Sequence, residues 1–199
     1  MPTQFHAPSL VNQILDSFWE FENHQSIYSE ISMVYIEVTS REVGLKFICG
    51  NVNFSISYFP KDTGTVIKCF SNEKTLENQN FLDIAFQDLK FIFAIQKCPI
   101  PNFDLRFEES DSSDFVGNSL NILIANLEST ILKTEHFLMD LDNQIDALKI
   151  LPFIDPGFIE KITFINRIKS DDKKVLKIEK IEKLEQWGRA KSVDVIGFR

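Results

Sequence analysis

Apolar residues in this chain keep two different spacings, and the boundary between them falls near residue 72. From residue 31 to residue 70 they recur at every second position, as strands with one buried face require. The candidate strands are Met33–Val38, Leu45–Cys49, Val52–Phe59 and Thr65–Phe70. Gly50-Asn51 is a two-residue hairpin signal, and the stretch from Pro60 to Gly64 supplies the next turn. An antiparallel meander is the expected product.

Beyond residue 72, stripes of helical period alternate with short strand-like runs. Asn80–Gln96 carries Phe81, Ala85, Leu89, Ile92 and Phe93 on one side, stops at Pro99 and Pro101, and leads to Phe103–Phe107. Asn118–Ile131, with Leu120, Leu123, Ile124 and Leu127, leads to His136–Leu141. Gln144–Ile154 is interrupted at Pro152 and turns at Asp155-Pro156-Gly157 into Lys161–Ile165. Val175–Gly188, with Ile178, Ile181, Leu184 and Trp187 inward, leads to Ser192–Ile196. Four helix–strand units at steps of roughly 25–33 residues lie in the range of repeat architectures. Strands joined through helices pair in parallel.

The predicted fold is therefore α/β: an N-terminal antiparallel β-meander followed by a short curved, leucine-rich-repeat-like helix–strand array with a parallel sheet. Three segments follow. Residues 1–30 are a helix and loop, with Ser9 capping a helix over 9–22 and Leu10, Ile14 and Phe18 on one side. Residues 31–72 are the meander, and residues 73–199 the α/β repeat. Nineteen phenylalanines point to a core of aromatic rings.

Charge and composition narrow the function. The net charge of -8 argues against a general nucleic-acid binder, because phosphates are contacted by Lys and Arg. The balance is uneven, at -13 over residues 1–160 and +5 over residues 161–199. The late lysines Lys169, Lys173, Lys174, Lys177, Lys180 and Lys183 are interleaved with Asp171, Asp172, Glu179 and Glu182, as on a solvated helix face. Nucleic acid is not an expected partner. Cys49, Cys69 and Cys98 are scattered and form no CxxC, which suits reduced thiols in an intracellular protein of cytoplasm or nucleus. No apolar run approaches the ~20 residues that span a bilayer, and no secretory signal is visible, so a membrane is not expected as a partner. Gly-rich phosphate loops and a GxSxG elbow are absent from the sequence, and His6, His24 and His136 are dispersed. We expect no catalytic residue, cofactor or metal, and no enzymatic activity.

Two motifs carry a resemblance. Asp142-Asn-Gln-Ile-Asp-Ala-Leu-Lys-Ile-Leu-Pro-Phe-Ile-Asp-Pro-Gly-Phe-Ile-Glu-Lys-Ile-Thr-Phe164 and Leu184-Glu-Gln-Trp-Gly-Arg-Ala-Lys-Ser-Val-Asp-Val195 resemble the FTH domain, which follows the F-box in a large set of nematode F-box proteins. Asp88–Ile92 with Phe103–Leu105 resembles its opening helix and strand, and the meander resembles the segment linking F-box to FTH domain. The resemblance covers roughly residues 27–199. In such proteins the F-box grips a Skp-type adaptor of a cullin-based ubiquitin ligase, and the C-terminal domain binds a target. The resemblance thus implies substrate recognition for such a ligase. Its alternatives are a ligase-independent adaptor that binds a regulatory protein, and an inactive F-box-less paralogue. Only Pro8–Phe18 resembles an F-box helix, the first of three, so the F-box is missing or reduced and adaptor binding stays open.

Strand alternation divides the side chains of the parallel sheet. Phe103, Leu105, Phe107, Phe137, Met139, Leu141, Ile162, Phe164, Val193 and Val195 are expected under the helices. Asp104, Arg106, Glu108, His136, Asp140, Lys161, Thr163 and Asp194 are expected on the open face, as the partner-binding set for a protein target. A slip of one residue would exchange the two groups.

Overall fold

The computed structural model describes residues 31–95, 98–127, 130–167 and 175–198. The expected helix over 9–22, the F-box-like Pro8–Phe18, and Lys169, Lys173 and Lys174 lie outside the described residues.

The predicted meander forms as β1 (Ile31–Val38), β2 (Val43–Cys49), β3 (Val52–Lys61) and β4 (Gly64–Cys69). The β2–β3 hairpin closes at Cys49 and Val52, and Gly50 adopts the φ of +57° that such a turn requires. The next turn is tighter than the sequence suggests, because Pro60 and Lys61 still belong to β3 and pair with Thr65 and Gly64. A Cβ on Gly64 would sit 2.0 Å from the Leu76 carbonyl oxygen, so only glycine admits the neighbouring strand there. That neighbour is a fifth strand, β5 (Asn72–Glu77), which alternation does not reveal. Its sequence Asn-Glu-Lys-Thr-Leu-Glu holds one large apolar residue, as suits an edge strand that keeps other chains from pairing.

The helix–strand array follows: α1 (Phe81–Ile95), β6 (Ile100–Phe107), α2 (Ser113–Leu127), β7 (Thr134–Leu141), α3 (Gln144–Ile150), β8 (Lys161–Asn166), α4 (Glu185–Arg189) and β9 (Ser192–Ile196). Polar caps fix the starts of the first three helices. Leu82 N–H donates to Asn80 Oδ1 at 2.9 Å, Phe115 N–H to Ser112 Oγ at 3.1 Å, and Ile145 N–H to Asn143 Oδ1 at 2.7 Å. After α3, Pro152 lies in a single 3₁₀ turn, Leu151–Phe153.

The expected long helix over Val175–Gly188 does not form. The chain instead makes a 3₁₀ turn, Ile181–Lys183, and the short α4. Ile178, Ile181, Leu184 and Trp187 recur every third residue. On an α-helix that spacing drifts by about 60° per step, so the four would fan over roughly 180°. A 3₁₀ turn and a break at Leu184 (φ -75°, ψ 141°) keep them against the core.

All nine strands form one sheet in the order β5-β4-β3-β2-β1-β6-β7-β8-β9. The four pairings from β1 to β5 are antiparallel. The four from β1 through β6 to β9 are parallel. The architecture is thus mixed α/β, and β1 joins the two halves. Helices cover one face, where register aligns Val34, Phe103, Phe137, Ile162 and Val193 in one row and Ile36, Leu105, Met139, Phe164 and Val195 in the next. Phe103 stacks on Phe137 at 5.7 Å, Phe93 of α1 meets Phe103 edge-on at 5.6 Å, and Trp187 of α4 stacks on Phe164 at 6.3 Å. Eight of the ten side chains expected under the helices are fully buried. Val193 is partly buried and Val195 is 41% exposed, because β9 is an edge strand under a five-residue helix. Within this core, Tyr58 Oη donates to Asp88 Oδ2 at 2.8 Å, tying β3 to α1.

The carboxyl ends of the parallel strands are held by one guanidinium. Arg167 follows β8, and its Nε and Nη2 donate to Asp142, just after β7, at 3.0 and 2.5 Å. Its Nη1 donates to the Glu108 and Asp111 carbonyls, after β6, at 2.7 and 2.6 Å. Both charged side chains are 2% exposed. Ser113 Oγ adds a bond to Asp142 Oδ2 at 2.8 Å. A bidentate pair with these further bonds satisfies the groups it buries. Arg167→Ala strands the Asp142 carboxylate and should cost about 3–5 kcal/mol of stability, read from urea unfolding. Arg167→Lys should recover only part of it, since an ammonium cannot span the carboxylate and the carbonyls at once.

Candidate functional site

The side chains opposite the helices fall into three rows across the sheet. Register aligns Lys46, Tyr35, Asp104, Leu138, Thr163 and Asp194 in the middle row. Toward the carboxyl ends of the parallel strands, Glu37 pairs with Arg106, and Asp140 with Ile165 and then Ile196. Toward their amino ends lie Ile48, Met33, Asn102, His136, Lys161 and Ser192. No described helix packs on this face.

Seven of the eight residues expected on the open face lie in these rows: Asp104, Arg106, His136, Asp140, Lys161, Thr163 and Asp194. Glu108 lies one residue beyond β6, in the loop whose carbonyls Arg167 collects. Leu138, Ile165 and Ile196 share the face although their apolar character hides them among core candidates; their parity in the same strands is the signal that finds them. Met33, Tyr35, Lys46 and Ile48 join it because β1 pairs with β6. No local sequence pattern announces that pairing.

Arg106 is the electrostatic centre. Its Nη1 lies 2.9 Å from Asp140 Oδ1 and its Nη2 3.8 Å from Asp104 Oδ2. The three side chains are only 27%, 13% and 17% exposed, in the order Arg106, Asp140, Asp104. Burial pushes both carboxyls above their ordinary range, against the pull of Arg106. Burial and the Glu37 carboxylate likewise raise the Tyr35 phenol. Toward the edge, Lys161 Nζ meets Asp194 Oδ2 at 2.8 Å; both are about half exposed, so the pair adds little stability. His136 Nδ1 lies 3.3 Å from Asn102 Oδ1.

Among the described residues no group of three or more His, Cys, Asp and Glu could hold a metal ion. Burial pushes the Cys49 and Cys69 thiols up to about 11, away from reactivity. A hollow of about 430 Å³ opens at the carboxyl ends of the strands beside Ser113, Asp142 and Lys177, but Arg167 already engages the Asp142 carboxylate. No described helix is long and apolar enough to cross a membrane.

Comparison with known families adds one match. Residues 118–199 match the FTH domain family model. The matched stretch runs from within α2 to the last strand, and so contains β7, β8, β9 and Arg167. No curated protein and no solved structure matches the chain.

The raised carboxyls have a pH signature. Below about 3.9 the groups are protonated in both states and contribute nothing. Between there and the raised folded values the unfolded chain ionises first, so the folded state holds more protons and stability falls as pH rises. The Asp104→Asn variant should lack part of this slope. The difference in urea midpoint between wild type and variant, followed from pH 4 to pH 7, should widen in favour of the variant.

Proposed function

We propose that this chain is a non-enzymatic protein-interaction module that presents the open face of its sheet to a protein target. The observation that carries this reading is the unbroken face made when β1 pairs with β6. At ~4.8 Å per strand and ~3.3 Å per residue, nine strands of about six residues offer roughly 38 by 20 Å, close to the ~800 Å² that one partner contributes to a standard interface. The face mixes charge pairs with Leu138, Ile165 and Ile196, and Ile196 is 50% exposed. Such a surface favours a partner chosen by complementarity over a broad apolar contact.

The FTH match supports the finer reading, since that family is associated with F-box proteins. On it, the chain resembles the substrate-recognition part of an F-box protein, and the helix–strand array is a short leucine-rich-repeat-like arc. Delivery of the target to a cullin-type ligase then depends on a Skp-type adaptor. A ligase-independent adaptor that holds a regulatory protein is the alternative within the same class.

The charge swap Arg106→Glu with Asp140→Lys keeps an ion pair within the fold and reverses the pattern a partner meets. Quantitative affinity purification should show the partners of the wild type reduced at least tenfold in this variant, with the urea midpoint little changed. Unaltered partners would reject the face. Co-purification of a Skp-type adaptor separates the two readings: stoichiometric recovery supports ligase recruitment, and repeated absence supports the independent adaptor.

A further inference from the structure

The two edges of the sheet meet solvent in different ways. β5, at one end, carries Glu73, Lys74 and Glu77 among its six residues, a charged composition that keeps an edge from pairing with another chain. β9, at the other end, reads Ser-Val-Asp-Val-Ile. Three of its five residues are β-branched aliphatics, and its one charge, Asp194, is taken up by Lys161 of β8 at 2.8 Å. Among the described residues β9 pairs with β8 alone, so alternate residues along it turn backbone N–H and C=O groups outward with no further strand to meet them.

Apolar side chains flank this edge on both sides of the sheet. On the helix side Val195 is 41% exposed beneath the five-residue α4. On the open side Ile196 is 50% exposed and lies beside Ile165 of β8, which lies beside Asp140 of β7. The apolar part of the open face therefore runs out to the edge. The edge is also held in shape. Asn166 Nδ2, at the end of β8, donates to the Gly197 carbonyl at 3.0 Å and fixes the end of β9 beside it. A strand held in this way offers its hydrogen-bonding groups without an ordering cost of its own.

We propose that the outer edge of β9 takes up an extended, apolar segment of the protein target as a tenth strand. Main-chain hydrogen bonds to β9 hold the segment; one set of its alternate side chains packs against Val195 and the other against Ile196. The proposal rests on the protein-interaction reading and deepens it by stating the form in which the target is bound. A second copy of this chain is the less suitable occupant. Five residues extend ~17 Å and a sheet edge is ~10 Å deep across its side chains, so two β9 edges would bury on the order of 340 Å² in all, against the ~1,200 Å² of a stable dimer. A target segment meets no such limit, because beyond β9 it can continue over Ile196 and Ile165 onto the open face.

A random dodecapeptide phage library panned on the full chain supplies the probe. Enriched peptides should carry β-branched or aromatic residues at every second position, with no proline among them. Backbone N-methylation, scanned residue by residue through the best synthetic peptide, should reduce affinity at least tenfold at alternate residues and little at those between, because only every second amide donates to β9. Contact through side chains alone gives no such two-residue period. Val195→Lys and Ile196→Glu should each weaken binding about tenfold with the urea midpoint little changed, since both side chains already meet solvent. No enrichment, an N-methyl scan without the period, or binding indifferent to both substitutions would overturn the proposal. Binding lost in the Arg106→Glu, Asp140→Lys variant but kept in Val195→Lys and Ile196→Glu would overturn the edge and leave the wider face in place. A wild-type dimer in sedimentation equilibrium, broken by Ile196→Glu, would give the edge to a second copy and overturn the target segment. Binding unchanged in all of these variants would remove both readings.

Discussion

The parallel ladder between β1 and β6 is the interaction on which the rest of the molecule depends. Six residue pairs, from Met33–Asn102 to Val38–Phe107, join two halves that would otherwise each end in an unpaired edge. The register sets Val34 beside Phe103 and Ile36 beside Leu105, so one aromatic and aliphatic core runs under all the helices. The same register sets Tyr35 beside Asp104 and Glu37 beside Arg106, so the opposite face is also continuous. A slip by one residue would turn every β1 side chain to the wrong face. The ladder carries a high entropic cost, because four strands and α1 intervene before the chain returns to pair with β1.

The Arg167–Asp142 pair plays a complementary part at the strand ends. Loops after parallel strands carry exposed carbonyls and tend to move independently. Here one guanidinium collects the carbonyls after β6 and the carboxylate after β7, from a position just after β8. Burying such a charge stabilises only when its hydrogen bonds are made, and here carboxylate and carbonyl oxygens meet its nitrogens. The consequence for function is a sheet whose open face is held at its carboxyl ends, with Arg106 and Asp140 presented from rigid strands and not from loops.

The two halves of the chain were legible to different depths. Alternation placed β1 to β4 and β6 to β9, and their parity sorted core from open face, because a strand repeats every two residues whatever its partners. It missed β5, whose polar composition reflects an edge position rather than a period. The helix over Val175–Gly188 was misjudged because apolar residues at every third position satisfy a helical stripe over one turn and fail it over three. Of the open face, the charged residues of the parallel strands were legible. Leu138, Ile165 and the β1–β2 contribution were not, since apolar residues on an open face look like core, and Tyr35 and Lys46 lie far from β6 in sequence.

By itself, then, the sequence determined the local periods, the cap residues Asn80, Ser112 and Asn143, the hairpin at Gly50 and the C-terminal motifs that match the FTH domain. Each of these is decided within a few residues by steric preference or side-chain hydrogen bonding. Tertiary structure alone decided that β1 pairs with β6, that Arg167 reaches loops 56 to 59 residues away, and that Asp140, Ile165 and Ile196 lie side by side on the open face. Those outcomes come from packing and charge satisfaction among distant segments, which no single stretch of the chain encodes.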